Sequence, residues 1–231
     1  MRAVLRFAAW TAVALAGLFL AVQLTFLAEL WWWKDHNPAS TAFMDARLAQ
    51  MRATNPAAKL QQSWVPYSQI SESLKRAVVV AEDSKFVDHE GFDWDAIEKA
   101  REKNRQKGKV VAGGSTISQQ LAKNLFLSAS RTPWRKGEEA LITVMIEQVM
   151  DKRRILEIYL NVIEWGDGVF GAEAAARHYY NTSAAKLGPD AAARLASIVP
   201  NPRFYDRNRN TPFITRKTQT ILARMPAAEL P

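Results

Sequence analysis

Twenty-two consecutive residues, Phe7–Ala28, carry no charge, whereas further along the chain apolar positions recur every three or four residues. As a helix the uncharged run would be roughly 33 Å long at 1.5 Å per residue, enough to cross a hydrocarbon layer of about 30 Å. Arg2 and Arg6 precede it, and Glu29 with Trp31-Trp32-Trp33 follows it. Cations on the short side favour a cytoplasmic N-terminus, and indoles suit the opposite interface. A cleaved signal has a shorter apolar region ending at small residues. Residues 1–33 are therefore expected to be a retained anchor with one transmembrane helix over about 7–30.

Residues 34–66 read as a connector punctuated by Asn37-Pro38, Asn55-Pro56 and Val65-Pro66, with a short helix over Thr41–Arg52. Residues 67–231 read as one mainly α domain. Ser71 can cap a helix whose Leu74, Val78 and Ala81 share a face and which ends at Glu82. Further helices are predicted over Asp93–Arg105, from Ser115 or Thr116 to Leu127, over Trp134–Asp151, Lys152–Ile163, Ala172–Tyr180, Pro189–Ile198 and Thr215–Arg224. Trp165-Gly166-Asp167-Gly168 reads as a turn. Pro200, Pro202 and Pro212 mark an expected extended, arginine-rich stretch.

Zero cysteines exclude disulfides and thiolate chemistry. The formal net charge is +8; Arg2, Arg6 and Glu29 account for +1 of it, leaving +7 on the rest. A basic body beside a membrane is attracted to anionic headgroups or phosphate-bearing substrates. No aromatic–basic interleaving of the kind that stacks bases is present, so nucleic acid is not an expected partner. Six cations between Lys99 and Lys109 read as a solvated helix end and a loop. His36, His89 and His178 are not at metal-ligand spacing, and His89 beside Gly91 is expected to hold a turn.

Candidate chemistry gathers in three segments. Glu82 ends the apolar run Ala77-Val78-Val79-Val80-Ala81, where a carboxylate is partly desolvated and placed like a general base. Taken alone it also reads as a solvated helix-end glutamate. Gly113-Gly114-Ser115-Thr116-Ile117-Ser118-Gln119-Gln120-Leu121-Ala122-Lys123-Asn124 is a glycine turn opening into a helix. Thr116, Gln120 and Lys123 share a polar face suited to pyrophosphate oxygens and sugar hydroxyls, while Ile117, Leu121 and Leu125 form the buried stripe. It lacks the Gly-Lys-Ser/Thr ending of a Walker loop. Arg131 could supply another phosphate contact. Arg135-Lys136-x-x-Glu139 starts a helix, where free N–H groups favour anions; an Arg135–Glu139 pair one turn apart is also an ordinary surface pair.

Four motifs then occur in order: Glu82-Asp83-x-x-Phe86-x-x-His89-x-Gly91-Phe92-Asp93, the Gly113–Asn124 segment, Arg135-Lys136-x-x-Glu139, and Lys152-x-x-Ile155-Leu156-Glu157-x-Tyr159-Leu160-Asn161. Together they resemble the peptidoglycan glycosyltransferase family, the transglycosylase half of bifunctional penicillin-binding proteins, from about Ser68 to about Pro212. Pro200–Phe213 matches the last family motif only loosely. No Ser-x-x-Lys transpeptidase module is found before Pro231, so the resemblance is to the monofunctional biosynthetic form. It implies a lysozyme-like helical glycosyltransferase domain that polymerises lipid-linked disaccharide-peptide (lipid II) into glycan strands. Carried over by position, Glu82 would be the base for the acceptor 4-hydroxyl and Glu139 the second essential carboxylate. Lys123 and Arg131 would neutralise the departing pyrophosphate. Ser115, Gln119, Gln120, Asn124, Arg135 and Lys152, with Thr116, would shape or hold the site.

Cofactors are not expected to be required, although carboxylates beside phosphate admit a divalent cation such as magnesium. The expected partners are lipid II, the growing strand, the inner membrane and cell-wall synthesis or division proteins, with the catalytic body on the periplasmic side. Two alternatives stay open: a membrane-bound lytic enzyme that cleaves glycan, and a non-catalytic cell-wall scaffold. Cleavage would need a proton donor rather than a cluster of cations.

Overall fold

The computed structural model describes residues 1–127 and 132–231, and it is mainly helical. Helix α1 (Arg2–Trp33) is followed by α2 (Ala42–Thr54), α3 (Glu72–Glu82), α4 (Trp94–Lys107), α5 (Ile117–Phe126), α6 (Pro133–Val149) and α7 (Lys152–Val162). Then come α8 (Ala172–Tyr180), α9 (Pro189–Ile198), α10 (Pro202–Arg207) and α11 (Pro212–Arg224). Most starts follow side-chain capping: Thr41, Ser71, Asp93, Thr116, Thr132, Asp151 and Thr211 each accept from a backbone N–H in the first turn. Pro202 at the first position of α10 presets a helical φ, so this part of the expected extended stretch is helix instead.

Three short strands, β1 (Gln61–Gln62), β2 (Glu164–Gly166) and β3 (Val169–Phe170), form a sheet in the order β1-β3-β2. Of the turn expected at Trp165–Gly168, Trp165 and Gly166 lie in β2, and Asp167 and Gly168 form the tip of the β2–β3 hairpin. β1 pairs parallel to β3, Gln61 opposite Val169. Residues 34–66 thus give α2 and β1 to the packed body. Their end is fastened by Asn161, whose buried side chain accepts from Val65 N–H at 2.9 Å and donates to Val65 C=O at 2.9 Å.

Helix α5 lies at the centre, packed against α2, α6 and α7. Ile117, Leu121 and Leu125 are buried as expected, but so are Ser118, Gln119 and Asn124, so little more than Gln120, Lys123 and Phe126 is left partly open. Across the body, α11 lies on α9 and α3.

Helix α1 is 32 residues long and apolar enough to cross a membrane. At about 48 Å it exceeds a hydrocarbon layer, and its last third is not free. Gln23 and Leu30 are buried, and Phe26 and Trp33 pack on the core and on the ring of Phe126. Arg154 of α7 clamps the end of α1, donating to the carbonyls of Trp33 at 3.0 Å and His36 at 2.6 Å. A cation at a helix C-terminus satisfies carbonyls that have no partner within the helix.

Candidate active site

The residue after Glu82 explains why α3 stops there and where it points. Asp83 leaves the helix and turns its buried carboxylate to the start of α5, accepting from Ile117 N–H at 3.0 Å. His89 Nε2 lies 3.0 Å from the other oxygen, which gives this histidine its turn-holding role. Thr116 caps α5 and also donates to Gly91 C=O at 2.6 Å. Gly91 has φ +88°, and a Cβ there would come within 2.8 Å of Thr143. A Cβ on Gly114 would meet the Ile97 backbone at 2.8 Å. These motif residues bolt the end of α3 to the beginning of α5.

Glu82 itself faces the cleft with a side chain 10% exposed. Gln120 donates to it at 2.9 Å, and the buried Tyr159 hydroxyl donates to Gln120 Oε1 at 2.8 Å, which fixes the amide orientation. Lys217 Nζ stands 3.8 Å from the other carboxylate oxygen. Burial pushes the Glu82 carboxyl above the usual range; Lys217, the Gln120 hydrogen bond and Lys123 pull it back, while Asp83 adds to the rise. Burial also pushes the Lys217 ammonium down, against the attraction of Glu82.

Glu139 is buried on α6, bonded by Arg135 at 2.6 Å and by Lys136. Lys136 also donates to Ser115 at 3.3 Å. Lys123 stands in the field of both acids. Burial pushes its ammonium down, Glu139 and Glu82 raise it, and Arg135 and Lys136 lower it. A hollow of about 170 Å³ is lined by Glu82, Ser84, Gly113, Gly114 and Ser115. A cleft of about 360 Å³ is lined by Gln120, Lys123, Asn124, Tyr159, Glu164 and Arg203, among others.

Not every residue expected at the site offers a free group to it. Thr116 and Gln119 form a reciprocal capping box, with Gln119 Oε1 accepting from Thr116 N–H at 3.1 Å, so both side chains stabilise the helix start. Lys152 binds Glu147 at 2.8 Å and sits over the Phe86 ring; its contacts are to this packing, with none to Glu82, Glu139 or Lys123. Asn124 lines the cleft while donating to Gln120 C=O at 2.7 Å. Arg131 lies outside the described residues.

Two residues escaped the sequence reading. Lys217 reaches Glu82 only because α11 packs on α3, and no local pattern announces it. Glu164 is buried in the cleft wall, held by Arg47 at 3.2 Å and Arg203 at 3.5 Å. Burial pushes its carboxyl up against these cations and the Gly168 N–H. Among the described residues, no group of three or more His, Asp or Glu side chains forms a metal-ligand set.

The body is helical, and the sequence profile described as Transglycosylase matches residues 48–226. The chain belongs to that family. It is similar to the biosynthetic peptidoglycan transglycosylase of Dechloromonas aromatica (strain RCB), 64% identical over 219 residues, 95% of each chain. The protein of the same description from Chromobacterium violaceum is 61% identical over 218 residues, 94% of this chain and 96% of that one. The one from Laribacter hongkongensis (strain HLHK9) is 62% identical over 218 residues, with the same coverage.

Proposed function

We propose that the protein is a peptidoglycan glycosyltransferase that polymerises lipid II into glycan strands. The observation that carries this is Lys123 in the cleft wall, whose ammonium feels both Glu139 and Glu82. Glu82 takes the proton from the acceptor's 4-hydroxyl as that oxygen attacks the anomeric carbon of the donor. The bond from that carbon to the pyrophosphate breaks, and the lipid pyrophosphate departs with the electron pair. Lys123, Arg135 and Lys136 offset its charge, so no acid is needed to protonate it. Displacement in one step inverts the anomeric centre, as in inverting glycosidases, with a sugar hydroxyl in place of water. Glu139 holds both Arg135 and Lys136, and Lys136 also reaches Ser115.

The body stands on the outer side of the cytoplasmic membrane, with the N-terminus in the cytoplasm. This is supported by Arg2 and Arg6 before the apolar run and by the lipid-borne substrate that the family implies. One face of α1 after Gln23, carried by Gln23, Phe26, Leu30 and Trp33, packs on the body while Leu24, Leu27, Trp31 and Trp32 stay exposed, so the span over about 7–30 runs with its last turns against the body. Residues 34–66 belong to the catalytic body.

A lytic reading has one observation in its favour: burial raises Glu82, as it does for an acid that protonates a glycosidic oxygen. The two readings part on substrate. Incubated with lipid II, the protein is expected to consume it and release polyprenyl pyrophosphate; incubated with finished strands, it is expected to leave their length unchanged. Shortened strands with lipid II untouched would give the site to cleavage.

Lys217 favours the ionised base. Lys217→Met is expected to move the acid limb of the kcat/KM profile to higher pH, and Lys217→Arg to restore it. A limb that stays in place in Lys217→Met would detach this lysine from Glu82.

A further inference from the structure

One cation in the wall of the larger cleft has no part in the reaction as derived so far. Arg203 lines that cleft together with Lys123, Asn124 and Glu164. Its side chain is 43% exposed. Among the described residues its side-chain polar contacts are both long: Nε stands 3.5 Å from Glu164, and a terminal nitrogen stands 3.5 Å from Gln50 Oε1. Both acceptors are held more closely by the buried guanidinium of Arg47, which donates to Gln50 Oε1 at 2.6 Å and to Glu164 at 3.2 Å. Glu164 also accepts from Gly168 N–H at 3.2 Å. Arg203 is thus tethered to groups that another guanidinium already satisfies.

The charge balance of this wall points the same way. Glu164 and Asp167 are paired with the guanidiniums of Arg47, Arg203 and Arg207, while Asp206 beyond them is paired with Arg209 and His178. Among the described residues the first group holds one cation more than it has acids, and Arg203 is its member on the cleft. The backbone that carries it is fixed. Pro202 sets the first turn of α10, and Asp206 accepts from Asp167 N–H at 3.1 Å, which docks α10 on the β2–β3 hairpin. A Cβ at Gly166 would come within 2.9 Å of the same carboxylate, so this close approach needs glycine there. A planar fork on a rigid backbone, with only long bonds of its own, suits a carboxylate that can take two parallel hydrogen bonds.

A lipid-linked disaccharide-peptide brings two kinds of anion, its pyrophosphate and the carboxylates of its peptide. The pyrophosphate is assigned to Lys123, Arg135 and Lys136. The peptide hangs from the sugar that is joined to that pyrophosphate, so its carboxylates lie farther along the cleft than the leaving group. We propose that Arg203 binds a carboxylate of the donor's peptide, which makes it a specificity-determining residue: the site reads the peptide as well as the sugar. This rests on the polymerase reading above.

The test compares lipid II with lipid II whose peptide carboxylates have been converted to amides, in the full-length protein and one detergent. The wild type is expected to favour the carboxylate form about five- to tenfold in kcat/KM, through KM, a modest value for a charge-assisted pair because Arg203 is partly exposed. In Arg203→Gln that ratio is expected to fall to about one, and in Arg203→Lys, which keeps the charge and loses the fork, to lie between. Glu164 keeps Arg47 and Gly168 in Arg203→Gln, and a ratio does not depend on the amount of folded protein. Equal use of the two substrates by the wild type would overturn the proposal. So would a preference that survives in Arg203→Gln, including the case in which both substrates lose equally. Inorganic pyrophosphate is expected to bind Arg203→Gln as it binds the wild type; weakened binding would move Arg203 to the leaving group and overturn the peptide assignment. The same preference is expected in affinities measured on Glu82→Gln, where no turnover is needed. A preference in binding by a protein whose wild type consumes neither lipid would count against the polymerase reading alone. Equal consumption of both lipids would count against Arg203 alone.

Discussion

Glu82→Gln is expected to lower glycan polymerisation by about 10³-fold, the range for losing a positioned general base. An amide keeps the size of the side chain and can still accept from Gln120, but it cannot take the acceptor's proton. The fold should not suffer. Burial raises the Glu82 carboxyl in the folded state above its unfolded value, so the folded protein holds this proton more tightly. The stabilising effect of such a group is full at low pH and is lost as pH rises through the folded value, leaving a cost at neutral pH. Glu82→Gln removes that cost, and its melting temperature at neutral pH is expected to match or exceed the wild type. The same shift sets the acid limb of wild-type kcat/KM above the ordinary glutamate value of about 4.3, with activity falling as pH drops through it. Thermal melts beside a lipid II turnover assay check both parts. Appreciable turnover in Glu82→Gln would remove this residue from its role.

The second large effect is expected at Lys123. Lys123→Ala deletes a cation that feels both acids, and preorganised charges facing a leaving group are typically worth about 10²–10³ in rate. Arg135 and Lys136 remain, bonded to Glu139, which keeps the loss from being total. Burial pushes the Lys123 ammonium below its ordinary value. Its contribution to stability is therefore unfavourable at neutral pH and improves as pH rises, so the alanine variant is expected to lose far more activity than melting temperature. Kinetics beside a melt separate the outcomes: parallel loss of both would make Lys123 a packing residue. Binding of inorganic pyrophosphate should weaken in the same variant, because the ammonium is assigned to the leaving group.

These two side chains were legible in the sequence for different reasons. Glu82 stood out because an apolar helical run ended on it, and Lys123 because it lay one turn beyond Gln119 on a helix opened by two glycines. The cap Ser71 was equally legible, and the start of α5 was narrowed to Ser115 or Thr116, since a cap is settled within a few residues. For Thr116 and Gln119 the local view left open what the structure adds: their side chains are joined in the capping box that starts α5. Lys152 shows a similar limit, for its partner Glu147 lies across the α6–α7 corner and its ring contact, Phe86, on another segment altogether.

The order of helices and the long apolar run came from spacing along the chain, because periodicity, caps and charge-free length are local properties; the four motif segments gained their meaning from the family resemblance. Tertiary packing alone decided that Lys217 stands against Glu82, that Arg47 and Arg203 close on Glu164, and that one face of the end of α1 packs on the body. Each of those depends on which surfaces are brought together across tens of residues, and for Lys217–Glu82 and Arg47–Glu164 across more than a hundred. Such contacts leave no short-range mark, since an exposed lysine and a buried one look alike until the surface that covers them is in place.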